Sequence, residues 1–147
     1  LDGFDGITGY NYHRGKTTSA DGTVSYLLPF DDLAHDHEVV WEGHTKFGKL
    51  PYMPCLSGGW DNRPNEKPEK PEAYSCYSPD ITPISLYNHI MRCGEFQKKY
   101  GGKTLNDLAI IYAWNENGEG GFICPTKGFH NDGLLMACAR AVRDLNS

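Results

Sequence analysis

The chain lacks a basic cluster. Its 14 Lys and Arg stand against 19 Asp and Glu in 147 residues, a net charge of −5, so the electrostatic footprint that a nucleic-acid binder needs is missing. Also missing is any apolar run of the roughly 20 residues that cross a bilayer as a helix, and no leader of signal-peptide pattern opens the chain. The compartment stays unreadable, and export is left open. Five cysteines (Cys55, Cys76, Cys93, Cys124, Cys138) show neither a CxxC pair nor Cys/His ligand spacing, so no zinc site and no disulfide framework is expected, and an odd count leaves at least one thiol free. No glycine-rich phosphate loop follows an apolar run, which removes the usual nucleotide-binding versions of an α/β fold and leaves no cofactor to expect. His35, His37 and His44 fall on one predicted helix without a further ligand in register, so no metal is expected either.

What is present is an abundance of aromatic residues, 12% with three Trp and nine Tyr, which suits either stacking on sugar faces or a well-packed core. One stretch organises the rest. Ile110 to Tyr112, extended back to Leu108, is a near-continuous apolar run with the character of a buried parallel strand. Polarity switches at Trp114, and Asn115, Glu116 and Glu119 follow directly. In a continuing strand the two glutamates would point to opposite faces, because residues three apart differ by an odd number of steps. Asn117-Gly118 is a tight-turn signal that folds the chain back and brings both carboxyl groups to one rim. Paired carboxylates, one protonated and one ionised, are the equipment for general acid/base work on acetals, whereas the plain alternative is a pair of solvated loop acids.

Along the chain, Phe4 to Tyr10 reads as a short strand feeding a polar loop in which Tyr10, Tyr12 and His13 are candidate ligand contacts, with packing under a loop as the alternative. Thr17 to Tyr26 is turn-rich and predicts a loop insertion or a small hairpin. Leu33, Val40 and Phe47 recur at seven-residue spacing and predict a helix over 30–47 whose histidines face solvent. Leu50 to Leu56 is a second strand made irregular by Pro51 and Pro54. It ends in glycines that present Trp60, a platform for a pyranose ring or else core filler, and Asp61, a hydroxyl holder or a turn cap. The segment 63–83 carries five of the nine prolines and mixed charges, Glu72 among them, and predicts a long surface loop that buries little. Thr82-Pro83 opens a helix with Ile84, Tyr87, Ile90 and Met91 as its inner stripe. A last helix starts near Asn131-Asp132 and turns Leu134, Cys138, Ala141 or Val142, and Leu145 inward. Strand and helix alternate three times with crossovers long enough for parallel pairing, as in three units of a (β/α)8 barrel or, as the alternative from pattern alone, in an open α/β sheet.

Trp114-Asn115-Glu116 followed by Gly118-Glu119-Gly120 resembles the WNExxEG signature of the family 99-like glycoside hydrolases and their WbsX-like relatives. Gly59-Trp60-Asp61-Asn62-Arg63-Pro64 is similar to the GWDNxPR-type stretch of the WbsX-like branch. The resemblance covers about the last two-thirds of the chain. It implies an α/β fold, the C-terminal portion of a (β/α)8 TIM barrel comprising about three βα units, with residues 1–147 forming one partial catalytic domain. A whole barrel needs roughly 250 residues, and the chain opens at Leu1 without an initiator Met, so truncation on the N-terminal side is expected. The resemblance further implies a glycoside hydrolase acting on an oligo- or polysaccharide, with Glu116 as base and Glu119 as acid/base. Sugar contacts would come from Trp60, Asp61, Trp114 and Asn115, together with Tyr10, Tyr12 and His13. The partner expected is a carbohydrate, not nucleic acid or a membrane, with further barrel segments or self-association completing the pocket. Asn117 and Cys124 depart from the family pattern. A WbsX-like glycosyltransferase and a carbohydrate-binding barrel without catalysis are the alternatives; no DxD or basic pair stands at a strand end for a sugar-nucleotide diphosphate.

Overall fold

Parallel pairing of three separate segments frames the molecule. The structure, a computed structural model, describes residues 3–67, 69–70, 74–105 and 107–147. In order come β1 (Ile7–Thr8), β2 (Thr17–Thr18), β3 (Val24–Ser25), α1 (Phe30–Phe47), β4 (Tyr52–Met53), β5 (Cys55–Ser57), α2 (Pro83–Lys99), β6 (Ile110–Tyr112), β7 (Asn115–Glu116), β8 (Gly121–Phe122) and α3 (Gly133–Leu145). The fold is mixed α/β. The middle segment, 51–57, carries a parallel neighbour on each side: β4 pairs with β1 in the register Ile7–Tyr52, and β5 pairs with β6 in the register Cys55–Ile110. Pro54 separates β4 from β5 because it has no N–H to give, yet its carbonyl still accepts from Ile110 N–H at 2.9 Å. The predicted hairpin forms as β2–β3, with Gly22 at φ +84° in its turn. No closed barrel is present among the described residues, and no helix is long and apolar enough to cross a membrane.

Helix α1 has the predicted bounds but not the predicted face. Its buried residues are Phe30, Leu33, Ala34, His37, Trp41 and Thr45, a progression of three and four that follows the 3.6-residue period. Phe47 is 87% exposed, so the seven-residue spacing from Leu33 picked a line that leaves the buried face by the last turn. His37 is a further correction. Far from facing solvent it is fully buried, with Nδ1 2.8 Å from Cys55 O and Nε2 3.0 Å from Tyr12 O. Trp41 donates its indole N–H to the same Cys55 carbonyl at 2.8 Å and stacks on the buried His89 of α2.

Helix α2 starts as expected, with Thr82 and Ser85 forming a reciprocal capping box ahead of Pro83. Its inner face is Leu86, His89, Ile90, Cys93 and Phe96, whereas Ile84 is exposed. The capping turn sets the phase of the helix and rotates the predicted stripe outward at its start. Gly94 admits Leu145 of α3, whose Cδ2 would lie 2.3 Å from an added Cβ, so α2 and α3 pack closely. On α3, Leu134, Ala137, Cys138 and Ala141 are buried while Val142 is exposed, which resolves the open choice in favour of Ala141.

The segment 63–83 buries more than its composition suggests. Residues 68 and 71–73, and with them the expectation for Glu72, lie outside the described residues, but Cys76, Ser78 and Ile81 are buried. Cys76 N–H donates to Arg14 O, Tyr77 N–H to Tyr26 O and Ser78 N–H to Trp60 O. Backbone bonds to distant segments hold this loop against the core, an arrangement that proline and charge counts do not encode.

The interior position of His37 has a pH consequence. Burial pushes its pKa down to about 4 against an ordinary 6.5, partly offset by the Cys55 carbonyl. Between those values the unfolded chain binds a proton that the native state refuses, so stability falls as pH drops through that window. The expected result is a urea midpoint that decreases from pH 7 to pH 4.5, with a shallower decline in His37→Gln; equal slopes would mean that His37 is not the group responsible.

Candidate active site

The loops that follow β1, β5 and β6 leave the same edge of the parallel sheet, so Tyr10, Trp60 and Glu116 gather there. An aromatic row runs across this edge. His13 stacks on Trp60 at 4.3 Å and 5° between planes, Trp60 lies 6.2 Å from Tyr112, and Tyr10 packs edge-on against Tyr112 at 4.8 Å.

Beyond β6 the chain forms the tight hairpin β7–β8, with a 3₁₀ turn over Asn117–Glu119 at its tip and Gly120 in the left-handed conformation at φ +64°. Glu116 caps that turn and Glu119 ends it. Glu116 is exposed and Glu119 half-buried. The Tyr112 hydroxyl donates to Glu119 Oε2. Burial first, then this carboxylate, push the Tyr112 phenol well above its ordinary value.

The tips after β5 and β6 interlock through their backbones. Asp61 N–H donates to Glu119 O at 2.7 Å, and Gly58 N–H donates to Tyr112 O at 2.5 Å. Asn65 Nδ2 bridges Asn62 Oδ1 at 2.9 Å and Gly118 O at 3.0 Å. Gly59, at φ +113°, lies so close to Gly120 that a Cβ there would sit 2.5 Å from the Gly120 oxygen, and a Cβ on Gly120 would sit 2.7 Å from Asp61 N. Only glycine fits both positions. The two motifs singled out in the sequence, some 55 positions apart, are therefore one structural unit.

Individual placements differ from the expectations. Trp60 is only 6% exposed, one face is covered by His13, and its indole N–H donates to Ser75 Oγ at 3.0 Å, so it is not an open platform in this structure. The open aromatic faces are Tyr10, 72% exposed, and Trp114, 53% exposed. Tyr12 turns away from the edge: its hydroxyl meets Tyr52 at 3.0 Å and its ring packs on His37. Asp61 gives both carboxylate oxygens to Arg63, whose guanidinium in turn covers the Tyr77 ring at 3.8 Å. Asn115 is exposed at the hairpin base, its carbonyl accepting from Asn117 Nδ2. Tyr112, Arg63 and Asn65 are members of the site that sequence reasoning passed over. For Tyr112 a signal existed, since a buried tyrosine at a strand end needs a partner for its hydroxyl.

A half-open cavity of about 250 Å³ lies against the interlocked loops, lined by Asp61, Ser78, Ile81, Asn117, Phe122 and Phe129. A larger one of about 450 Å³ sits between α2, α3 and β6, where Ile90, Cys93, Ile111 and Cys138 make it apolar; it holds neither glutamate. Among the described residues no His, Cys, Asp or Glu cluster is arranged to hold a metal ion. Comparison with protein-family models, with curated proteins and with solved structures finds no match.

Two outcomes follow from this geometry. Gly120→Ala should cost about 1–3 kcal/mol through left-handed strain plus collision with the Asp61 backbone, whereas Gly22→Ala, with nothing within 4 Å of the added Cβ, pays only the strain; paired thermal melts compare them. His13 is held below its ordinary pKa by burial, and the Glu119 carboxylate pulls it partly back. Its NMR titration midpoint should therefore fall further in Glu119→Gln, and an unchanged midpoint would separate the two side chains.

Proposed function

We propose that this chain is the catalytic portion of a glycoside hydrolase acting on an oligo- or polysaccharide. The observation that carries the reading is the interlock of the WNExxEG-like and GWDN-like stretches at the carboxyl edge of parallel strands, which sets two glutamates three residues apart beside exposed aromatic rings. Sites in parallel α/β architectures lie at that edge because loops there vary without disturbing the sheet. We read β1, β4–β5 and β6 with their helices as three consecutive units of a (β/α)8 barrel. The outer edges of β1 and β6 would then be covered by further strands, from other segments or from association.

In this reading the Glu119 carboxyl protonates the departing glycosidic oxygen. Its C–O bond breaks as positive charge develops at the anomeric carbon, and Glu116 removes the proton of the attacking hydroxyl. In the resembled enzymes the sugar's own 2-hydroxyl makes that attack, closing a C1–O2 bond as the bond to the leaving oxygen breaks; Glu116 would serve the same step here, and water deprotonated by Glu119 would then open the C1–O2 bond to complete hydrolysis. Tyr10 and Trp114 offer flat apolar faces for the sugar ring. Asn115, exposed beside them, is placed to bind hydroxyl groups. His13 covers Trp60, so Trp60 would join the binding surface only where substrate displaces the imidazole.

The two glutamates are separable by experiment. Glu119→Gln should lose about 10²–10⁴-fold on glycosides with poor leaving groups and far less on activated aryl glycosides, which need little protonation. Glu116→Gln should impair both classes by a similar factor. Binding of an unreactive oligosaccharide should survive each change within a few-fold, as measured by calorimetry. Two amide variants with near wild-type turnover would overturn the assignment, and sugar binding without any turnover in the native protein would favour the non-catalytic alternative.

A further inference from the structure

We infer that Tyr112 is a positioning residue for Glu119, anchoring one carboxyl oxygen so that the other is the reacting one; the inference rests on the hydrolase reading. The observations concern one strand end. Tyr112 is the last residue of β6, only 3% exposed, and its ring is held on three sides: by Tyr10 at 4.8 Å, by Trp60 at 6.2 Å, and by Gly121, where an added Cβ would come within 2.7 Å of the ring. Its backbone is pinned as well, through Gly58 N–H on its carbonyl and the β5 register Ser57–Tyr112. A ring so confined presents its hydroxyl in one direction, and that hydroxyl meets Glu119 Oε2. Oε1 of Glu119 has no hydrogen bond among the described residues.

A long, half-exposed glutamate would otherwise sample several rotamers at the tip of a hairpin. Tying Oε2 to a rigid phenol restricts that choice before substrate arrives, which is worth more to a proton transfer than to binding. Tyr112 itself remains a proton carrier throughout, since burial and the carboxylate both raise its pKa. The other charged or titratable neighbours are Tyr10, packed on the Tyr112 ring; His13, whose pKa is lowered by burial and partly restored by the Glu119 charge; Glu116 at the start of the turn; and Asp61, which is engaged by Arg63 and touches Glu119 through its backbone N–H.

Tyr112→Phe keeps the ring and removes only the donor. In this variant the Glu119 side chain, followed by NMR side-chain couplings, should populate several rotamers where the native protein holds one. The maximal kcat should fall about tenfold with KM changed less than twofold. Conversely, Glu119→Gln should bring the Tyr112 phenol back toward its ordinary titration range, a readout independent of turnover. An unchanged Glu119 rotamer distribution in Tyr112→Phe, or an unmoved phenol in Glu119→Gln, overturns the inference. If both readouts move but both glutamine variants cleave glycosides normally, the hydrolase reading is what fails, and the catalytic role of Tyr112 fails with it.

Discussion

Two glycines in contact support the whole carboxyl edge of this molecule. Gly59 and Gly120 approach so closely that neither tolerates a Cβ, and both hold positive φ angles that side chains rarely adopt. Because they meet, Asp61 N–H reaches the Glu119 carbonyl, and the hairpin carrying both glutamates is docked onto the loop after β5. Without that approach the β7–β8 tip would be a two-stranded ribbon held only by its own register, which is marginal in water. Fixing it to the sheet turns a flexible pair of acids into a defined one.

Beneath the edge, rigidity comes from polar groups as much as from apolar burial. The Cys55 carbonyl takes hydrogen bonds or close contacts from Trp41 and His37 together, both reaching in from α1. His89 of α2 stacks on Trp41, and Ser57 N–H donates to its Nε2 at 3.3 Å. Glu38 sits 3.5 Å from the other nitrogen and pairs with Arg92 at 2.5 Å. Helices α1 and α2 are thus registered on β5 by directed contacts. Such contacts set rotation and height more narrowly than non-directional burial can.

The Tyr112–Glu119 pair joins these two levels. Its ring belongs to the packed strand and its hydroxyl to the hairpin, so the position of the acid is tied to the sheet through one side chain. His13 and Trp60 form a parallel connection from the loop after β1 to the loop after β5. Each of the three loops is therefore held to a neighbour by a ring or by the backbone.

The α/β alternation, the extent of α1, the Thr82-Pro83 start of α2 and the turn at Asn117-Gly118 were all legible in the linear order of residues. Each depends on local chemistry: hydrophobic period, capping side chains, and backbone freedom at glycine. Glu116 and Glu119 also stood out, because their spacing across a turn is a local property. What the sequence alone could not determine was which faces pack and what touches what. Phase on α1 depended on where the sheet lay, so His37 went inward although its neighbours suggested a solvated face. Trp60, an exposed platform by motif, was covered by a histidine 47 positions earlier in the chain. Tyr112 read as one more apolar residue until the hairpin returned to meet its hydroxyl. These are contacts between segments far apart in the chain, and only tertiary structure decides them, because no local energy term distinguishes one distant partner from another.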